Sequence, residues 1–166
     1  MKVAVITGVT SGLGLEFLKI IISEHPELDE IWAIARRKDR LKDIEEKYNK
    51  IIPISLDLCD KDSISVFVRK LELEKPDIRV LINNAGFGDR TDFNDMDVDL
   101  QLKMVDVNCN ALLYFTRVFL TDMLNNDEGH IINVGSIAGF VPGPYMCTYH
   151  ATKAFVLNLG ESIAHE

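Results

Sequence analysis

Short apolar runs alternate along the chain with segments whose apolar residues recur every three or four positions. Met1–Thr7 is apolar apart from Lys2 and runs into a glycine, the pattern of a buried parallel strand. Gly12–Ser23 carries Leu13, Leu15, Phe17, Leu18, Ile21 and Ile22 as a helical stripe, which His25-Pro26 stops. Ile31–Ala35 predicts a second strand. Asp39–Tyr48 predicts an amphipathic helix with Asp39 as N-cap, and Ile51–Leu56 a third strand. Asp60–Leu73 predicts a helix facing inward through Ile64, Phe67, Val68 and Leu71, and Arg79–Asn83 a fourth strand. Residues 89–97 are acidic and irregular. Asp99–Leu124 predicts a long helix, Ile131–Val134 a fifth strand, Gly139–Pro144 a loop, and Tyr149–Ala164 a last helix.

Five strand–helix alternations predict an α/β fold. The expected architecture is a doubly wound parallel sheet of the Rossmann type, formed by a single domain over residues 1–166. The long helix is apolar on more than one face, through residues such as Leu102, Met104, Leu113, Phe115 and Phe119. That girth predicts a subunit contact; a helix covered within its own chain is the other reading.

Composition narrows the function. Of 166 residues, 47% are hydrophobic, which excludes a disordered chain. The net charge of −8 argues against a broad nucleic-acid surface. The least charged stretch, 131–149, is broken by Gly135, Gly139, Pro142, Gly143 and Pro144, so no membrane span is expected. The N-terminus has no signal-peptide pattern. Cys59, Cys109 and Cys147 are odd in number and lack metal-ligand spacing, which predicts reduced thiols in a cytoplasmic protein without a metal.

The chemistry begins where the first strand meets the first helix, at Thr7-Gly8-Val9-Thr10-Ser11-Gly12-Leu13-Gly14. Gly8 would permit the turn, Gly12 would admit a pyrophosphate to the backbone, and Gly14 would let the helix close on the sheet. The helix N-terminus would face the phosphates. A strand before and a helix after raise this above an isolated glycine pattern, and no Gly-Lys-Ser/Thr follows to make a Walker loop. The second strand ends at Ala35-Arg36-Arg37, where an acidic residue would hold an NAD ribose. Two arginines there suit a 2′-phosphate and point to NADP(H); a solvated arginine pair is the plainer reading.

Tyr149 and Lys153 share a helix face, and a cation beside a phenol stabilises the phenolate, which makes Tyr149 a general acid/base candidate. His150 points about 100° away from Tyr149 on a helix and is read as a bystander.

Taken with Gly8, Gly12 and Gly14, the run Asn83-Asn84-Ala85-Gly86, then Asn108, Ser136 and the Tyr149/Lys153 pair, in this order, resemble the short-chain dehydrogenase/reductase family over residues 7–153. The resemblance implies an NADP(H)-dependent oxidoreductase that moves a hydride between nicotinamide and a carbonyl or alcohol. In it Tyr149 donates the proton, Lys153 holds the nicotinamide ribose, Ser136 bonds the substrate oxygen, and Asn108 holds a relay water. Asn84, Ala85 and Gly86 would steady the sheet and touch the cofactor, as would Thr10, Ser11 and Leu13 in the glycine loop, and Asp57 would meet the adenine. Residue by residue, Asn108 could instead bend its helix, Ser136 make a turn, and Asp57 cap a helix. The family also implies a homo-oligomer through helices 99–124 and 149–166. Its members run to roughly 250 residues, within the single-domain range. Two strands, a helix and a substrate-covering loop are therefore expected beyond Glu166, with the fifth strand left as an edge. A dinucleotide-binding module without catalysis, or an inactive fragment, is the alternative. Phe87, Phe140, Val141, Pro142, Tyr145 and Met146 predict an apolar substrate wall.

Overall fold

A computed structural model describes all 166 residues. Strands β1 (Lys2–Thr7), β2 (Glu30–Ala35), β3 (Ile51–Ser55), β4 (Asp77–Asn83) and β5 (His130–Asn133) form one sheet in the order β3-β2-β1-β4-β5. Every pairing is parallel. Helices α1 (Gly12–Glu24) and α2 (Lys38–Lys47) cover one face. On the other face lie α3 (Lys61–Glu74) and α5 (Leu112–Asn126). Helix α4 (Val98–Val105) leads through a π-helical turn, Asp106–Ala111, into α5, and α6 (Cys147–His165) closes the chain.

The doubly wound sheet follows from the apolar runs. Val3, Val5, Trp32, Ile34 and Leu81 face α3 and α5, while Ala4, Ile6, Ile31, Ala33 and Ile82 face α1 and α2. Both faces of the central strand are therefore dry, which is why β1 reads as continuous rather than alternating hydrophobicity. On the α3/α5 side Trp32, Phe67 and Phe115 meet edge-on, with ring centroids 5.9 and 5.7 Å apart. The chain passes from β1 outward to β3, then returns across β1 to β4. This reversal opens a crevice at the C-terminal ends of β1 and β4.

Several boundaries depart from the sequence reading. β4 begins at Asp77 rather than Arg79, because a register shift against Val3/Ala4 accommodates Arg79, which pairs with Asp77 and Glu128. Asp39 lies in the first turn of α2 and Arg37 holds the cap position, so Asp39 meets the helix dipole without capping it. Asp60, not Asp57, caps α3: its side chain accepts from the Asp62 amide at 3.0 Å. Leu13 leaves the expected stripe and is 63% exposed. The helix expected over 99–124 is real but interrupted, and its inner face buries Met104, Val107, Leu112, Phe115 and Phe119. β5 stands at the sheet edge. No helix is long and apolar enough to cross a membrane.

Candidate active site

A cleft of about 830 Å³ runs along the C-terminal ends of the strands. Every strand contributes to it: Gly8 follows β1, Arg36 and Arg37 follow β2, Asp57 follows β3, Asn84 to Gly88 follow β4, and Ser136 follows β5. Tyr149 and Lys153 enter it from α6.

The glycine loop has the geometry its spacing implies. Gly8 and Gly12 sit at φ +69° and +56°, where a side chain would be strained. A Cβ on residue 14 would stand 2.3 Å from the Gly8 carbonyl oxygen, so α1 can approach β1 only with glycine there. Apart from its chain neighbours and its own helix backbone, nothing lies within 4 Å of the position a Cβ on residue 12 would take. Ser11 makes no side-chain cap, and the first turn of α1 holds no acidic residue. The leading N–H groups of α1 therefore keep their positive end for an anion.

The loop is pinned from the neighbouring strand. Asn84 Nδ2 donates to the carbonyls of Thr7 and Gly8 at 3.0 and 3.2 Å, while the Asn84 and Ala85 amides donate to Thr7 Oγ1, both at 3.0 Å. Asn83 Nδ2 reaches Thr116 Oγ1 and Asn133 Oδ1, tying β4 to α5 and β5. At the far end of the cleft, Arg37 donates to Thr10 Oγ1 at 3.1 Å, and both Arg36 and Arg37 are exposed. Asp57 accepts from the Cys59 amide at 3.0 Å and lines the cleft.

At the other end, Lys153 is buried and donates to the Val134 carbonyl at 2.7 Å. Its Nζ lies 5.9 Å from the centre of the Tyr149 ring. Burial pushes the Lys153 ammonium below its ordinary value, and buried Cys109 nearby pulls the other way. Ser136 Oγ accepts from the Ala138 amide at 3.1 Å, which leaves its O–H to donate into the cleft. Asn108 does not line the cleft. Its Oδ1 accepts from the Phe87 amide at 3.0 Å, and its Nδ2 donates to the Phe87 carbonyl at 2.9 Å and to Thr152 Oγ1 at 3.0 Å. Both amide hydrogens are thus spent, one on Phe87 of the cleft wall and one on Thr152 behind it.

Some residues of the site carry no mark in the sequence. Gly88 is one: the Tyr149 ring packs against its bare backbone. Thr152 is another, hidden between Tyr149 and Lys153. His150 lies outside the cleft: its Nδ1 is 2.6 Å from the Val141 carbonyl and its ring fills the space beside Gly143. A carbonyl only accepts, so Nδ1 carries the proton. Of the expected apolar wall, Phe87 lines the cleft, whereas Phe140, Val141 and Tyr145 stand exposed outside it.

A family model described as short chain dehydrogenase matches residues 2–166. A short chain dehydrogenase of Pseudocercospora fijiensis is 32% identical, over 99% of this chain and 54% of its own length. An oxidoreductase of Staphylococcus saprophyticus is 30% identical, over 99% of this chain and 71% of its own. The chain thus spans between about half and three quarters of these relatives. Among solved structures, serine dehydrogenase from Escherichia coli superposes with TM-score 0.85 at 32% identity, covering 98% of this chain and 74% of that one. A short-chain dehydrogenase from Sphingobium yanoikuyae in complex with NADPH gives 0.89 at 26%, covering 98% and 65%. 4-hydroxyisoleucine dehydrogenase complexed with NADH gives 0.88 at 25%, covering 99% and 67%.

Proposed function

The chain belongs to the short-chain dehydrogenase family, and from that premise we propose that its cleft binds NADP(H) and serves hydride transfer between nicotinamide and a carbonyl or alcohol. The observation that carries this reading is the convergence of Tyr149, Lys153 and Ser136 on the same cleft as the glycine loop. The residues fit a dinucleotide. The cleft volume lies within the ~300–1,000 Å³ range of small-molecule and cofactor sites. The space beside Gly12 and the uncapped start of α1 suit a pyrophosphate.

Gly8, Thr10, Ser11, Gly12, Leu13 and Gly14 would hold the phosphates, and Arg36 and Arg37 the 2′-phosphate. Asp57 would meet the adenine, and Asn84, Ala85 and Gly86 would flank the middle of the cofactor. NADP(H) is favoured over NAD(H) by the two cations in place of an acidic residue. The relatives include proteins bound to NADPH and to NADH, so the arginines carry this choice.

When bound, the nicotinamide supplies or accepts the hydride. The protein's share is the proton. In reduction, the Tyr149 hydroxyl gives its proton to the substrate oxygen as the carbonyl becomes an alcohol; in oxidation it takes one back. Ser136 donates to that same oxygen and orients it. Lys153, with one N–H committed to Val134, has two left for ribose hydroxyls, and its charge favours the phenolate form of Tyr149. Asn108 holds the wall through Phe87, and with both side-chain N–H groups committed it has none to donate to the relay water the resemblance implies.

The reading extends to a single domain over 1–166, a cytoplasmic protein with reduced cysteines, and a homo-oligomer through residues 99–124 and 149–166. Leu102, Leu113, Tyr114 and Phe155 are apolar and exposed on those helices, which supports the contact. Calorimetric titration of the 166-residue chain with NADPH and NADH tests the cofactor. A preference for NADPH above tenfold, about 1.4 kcal/mol, is expected; equal binding would remove the NADP(H) assignment. Tyr149→Phe should abolish carbonyl reduction and spare binding, and turnover at the unmutated rate would remove the role given to Tyr149.

A further inference from the structure

We propose that Thr152 is a positioning residue for the Tyr149–Lys153 pair, acting by holding the Gly86–Gly88 segment against it. The inference rests on the catalytic reading above and adds a residue to it. Thr152 is 3% exposed and does not line the cleft. Its hydroxyl is used in both directions: it donates to the Tyr149 carbonyl at 2.8 Å and accepts from Asn108 Nδ2 at 3.0 Å. Asn108 in turn grips Phe87 at both its amide and its carbonyl. One continuous path therefore runs from the backbone of Tyr149, through two side chains, to the middle of the loop after β4.

The two residues flanking Phe87 touch the reacting pair. A Cβ on residue 86 would lie 3.7 Å from Lys153 Nζ and 3.0 Å from Asn108 Oδ1. A Cβ on residue 88 would lie 2.8 to 3.2 Å from atoms of the Tyr149 ring. The phenol and the ammonium are thus bounded on one side by bare backbone, whose distance from α6 the Asn108–Thr152 bond sets. Without the Thr152 oxygen, one Asn108 N–H is left buried with no acceptor. Asn108 then turns to find a partner, and its grip on Phe87 loosens.

Three substitutions separate the hydroxyl from the volume it fills. Thr152→Val keeps the shape; Thr152→Ala and Thr152→Ser differ from each other by the hydroxyl alone, so the comparison stands even if the valine variant fails to fold. The measurements are hydrogen exchange of the Phe87 amide, NADPH binding, and NADPH-dependent reduction of a panel of aldehydes and ketones. Valine and alanine are expected to speed Phe87 exchange at least tenfold and to lower kcat at least tenfold, with NADPH affinity and substrate KM within threefold. Serine is expected to restore both. Wild-type Phe87 protection in the valine and alanine variants would overturn the proposal. So would equal losses in all three variants accompanied by a common fall in melting temperature, which marks a structural role. Tyr149→Phe distinguishes the underlying reading: full turnover in that variant overturns the catalytic assignment, and Phe87 exchange still decides whether Thr152 holds the segment.

Discussion

The Tyr149 ring rests on Gly88, so closely that a Cβ at position 88 would stand 2.8 Å from the ring Cδ2 and 2.9 Å from Cγ. Those are atoms near the root of the side chain, which cannot swing aside without moving the hydroxyl. Gly88→Ala is expected to lower turnover about tenfold or more while leaving NADPH affinity within about threefold, since a misplacement of ~1 Å at a reacting group costs up to ~100-fold. Steady-state kinetics beside a binding titration checks this.

Two glycines of the phosphate loop should fail differently. Gly14→Ala sets a methyl against the Gly8 carbonyl, backbone against backbone, and is expected to lose ~1–3 kcal/mol of stability or more in urea unfolding. Gly12→Ala meets open space, and its cost is the left-handed φ of +56°, ~1–2 kcal/mol. It should fold and bind NADPH markedly less well, because the methyl enters the space a phosphate would use.

The arginines should separate the two cofactors. Arg36→Ala and Arg37→Ala are each expected to weaken NADPH about tenfold and to leave NADH within about twofold, in line with ~1.5–3 kcal/mol for a charged hydrogen bond, discounted for exposure. Arg37 is held by Thr10, so its loss should be the larger. Parallel titrations of each variant with both cofactors would reveal it.

Lys153 predicts a stability that changes with pH. Burial lowers its folded pKa below the ordinary 10.5. Below that lowered value both folded and unfolded chains hold the proton, and the cost of burying it is fully present. Between the lowered value and 10.5 the unfolded chain binds more protons, so the unfolding free energy rises with pH across that window. Lys153→Met should abolish that rise. Urea unfolding from pH 7 to 10.5 for both proteins provides the comparison.

The cysteines should react in order of exposure and thiolate content. Cys147 is exposed, burial raises Cys59, and burial pushes Cys109 to about 11. At pH 8 a disulfide reagent is expected to modify Cys147 fastest and Cys109 slowest in the folded protein. Peptide mapping at early times identifies the order.

The sheet was legible because β1 and β2 are short continuous apolar runs, as strands of a parallel sheet buried on both faces are, and the segments between the strands carry helical stripes. The glycine loop was legible because its spacing is a backbone requirement, and backbone requirements leave glycines behind. The π-helical turn was not: residues 106–111 contain no glycine or proline, and apolar residues continue on both sides. Its mark is in the structure, where Val107, Asn108 and Cys109 are buried in succession. Gly88 and Thr152 were invisible for another reason. Each matters through what it lies against, and nothing at positions 88 or 152 announces the Tyr149 ring or the Asn108 amide. β4 began early because Arg79 found Asp77 and Glu128 across a bulge, a tertiary event that strand propensity does not encode.

The π-helical turn makes part of this site separable from the core by a single codon. Such a turn is an α-helix with one residue added, so deleting exposed Asn110 would return the segment to ordinary helical winding. Phe115 and Phe119 would keep their seats against the sheet, while Asn108 would rotate off Phe87 and Thr152. A chain shortened in this way would still fold around its aromatic stack. It would lose the hydrogen-bonded link from Phe87 through Asn108 to Thr152, leaving the loop after β4 to meet the last helix through the packing of Gly88 on Tyr149.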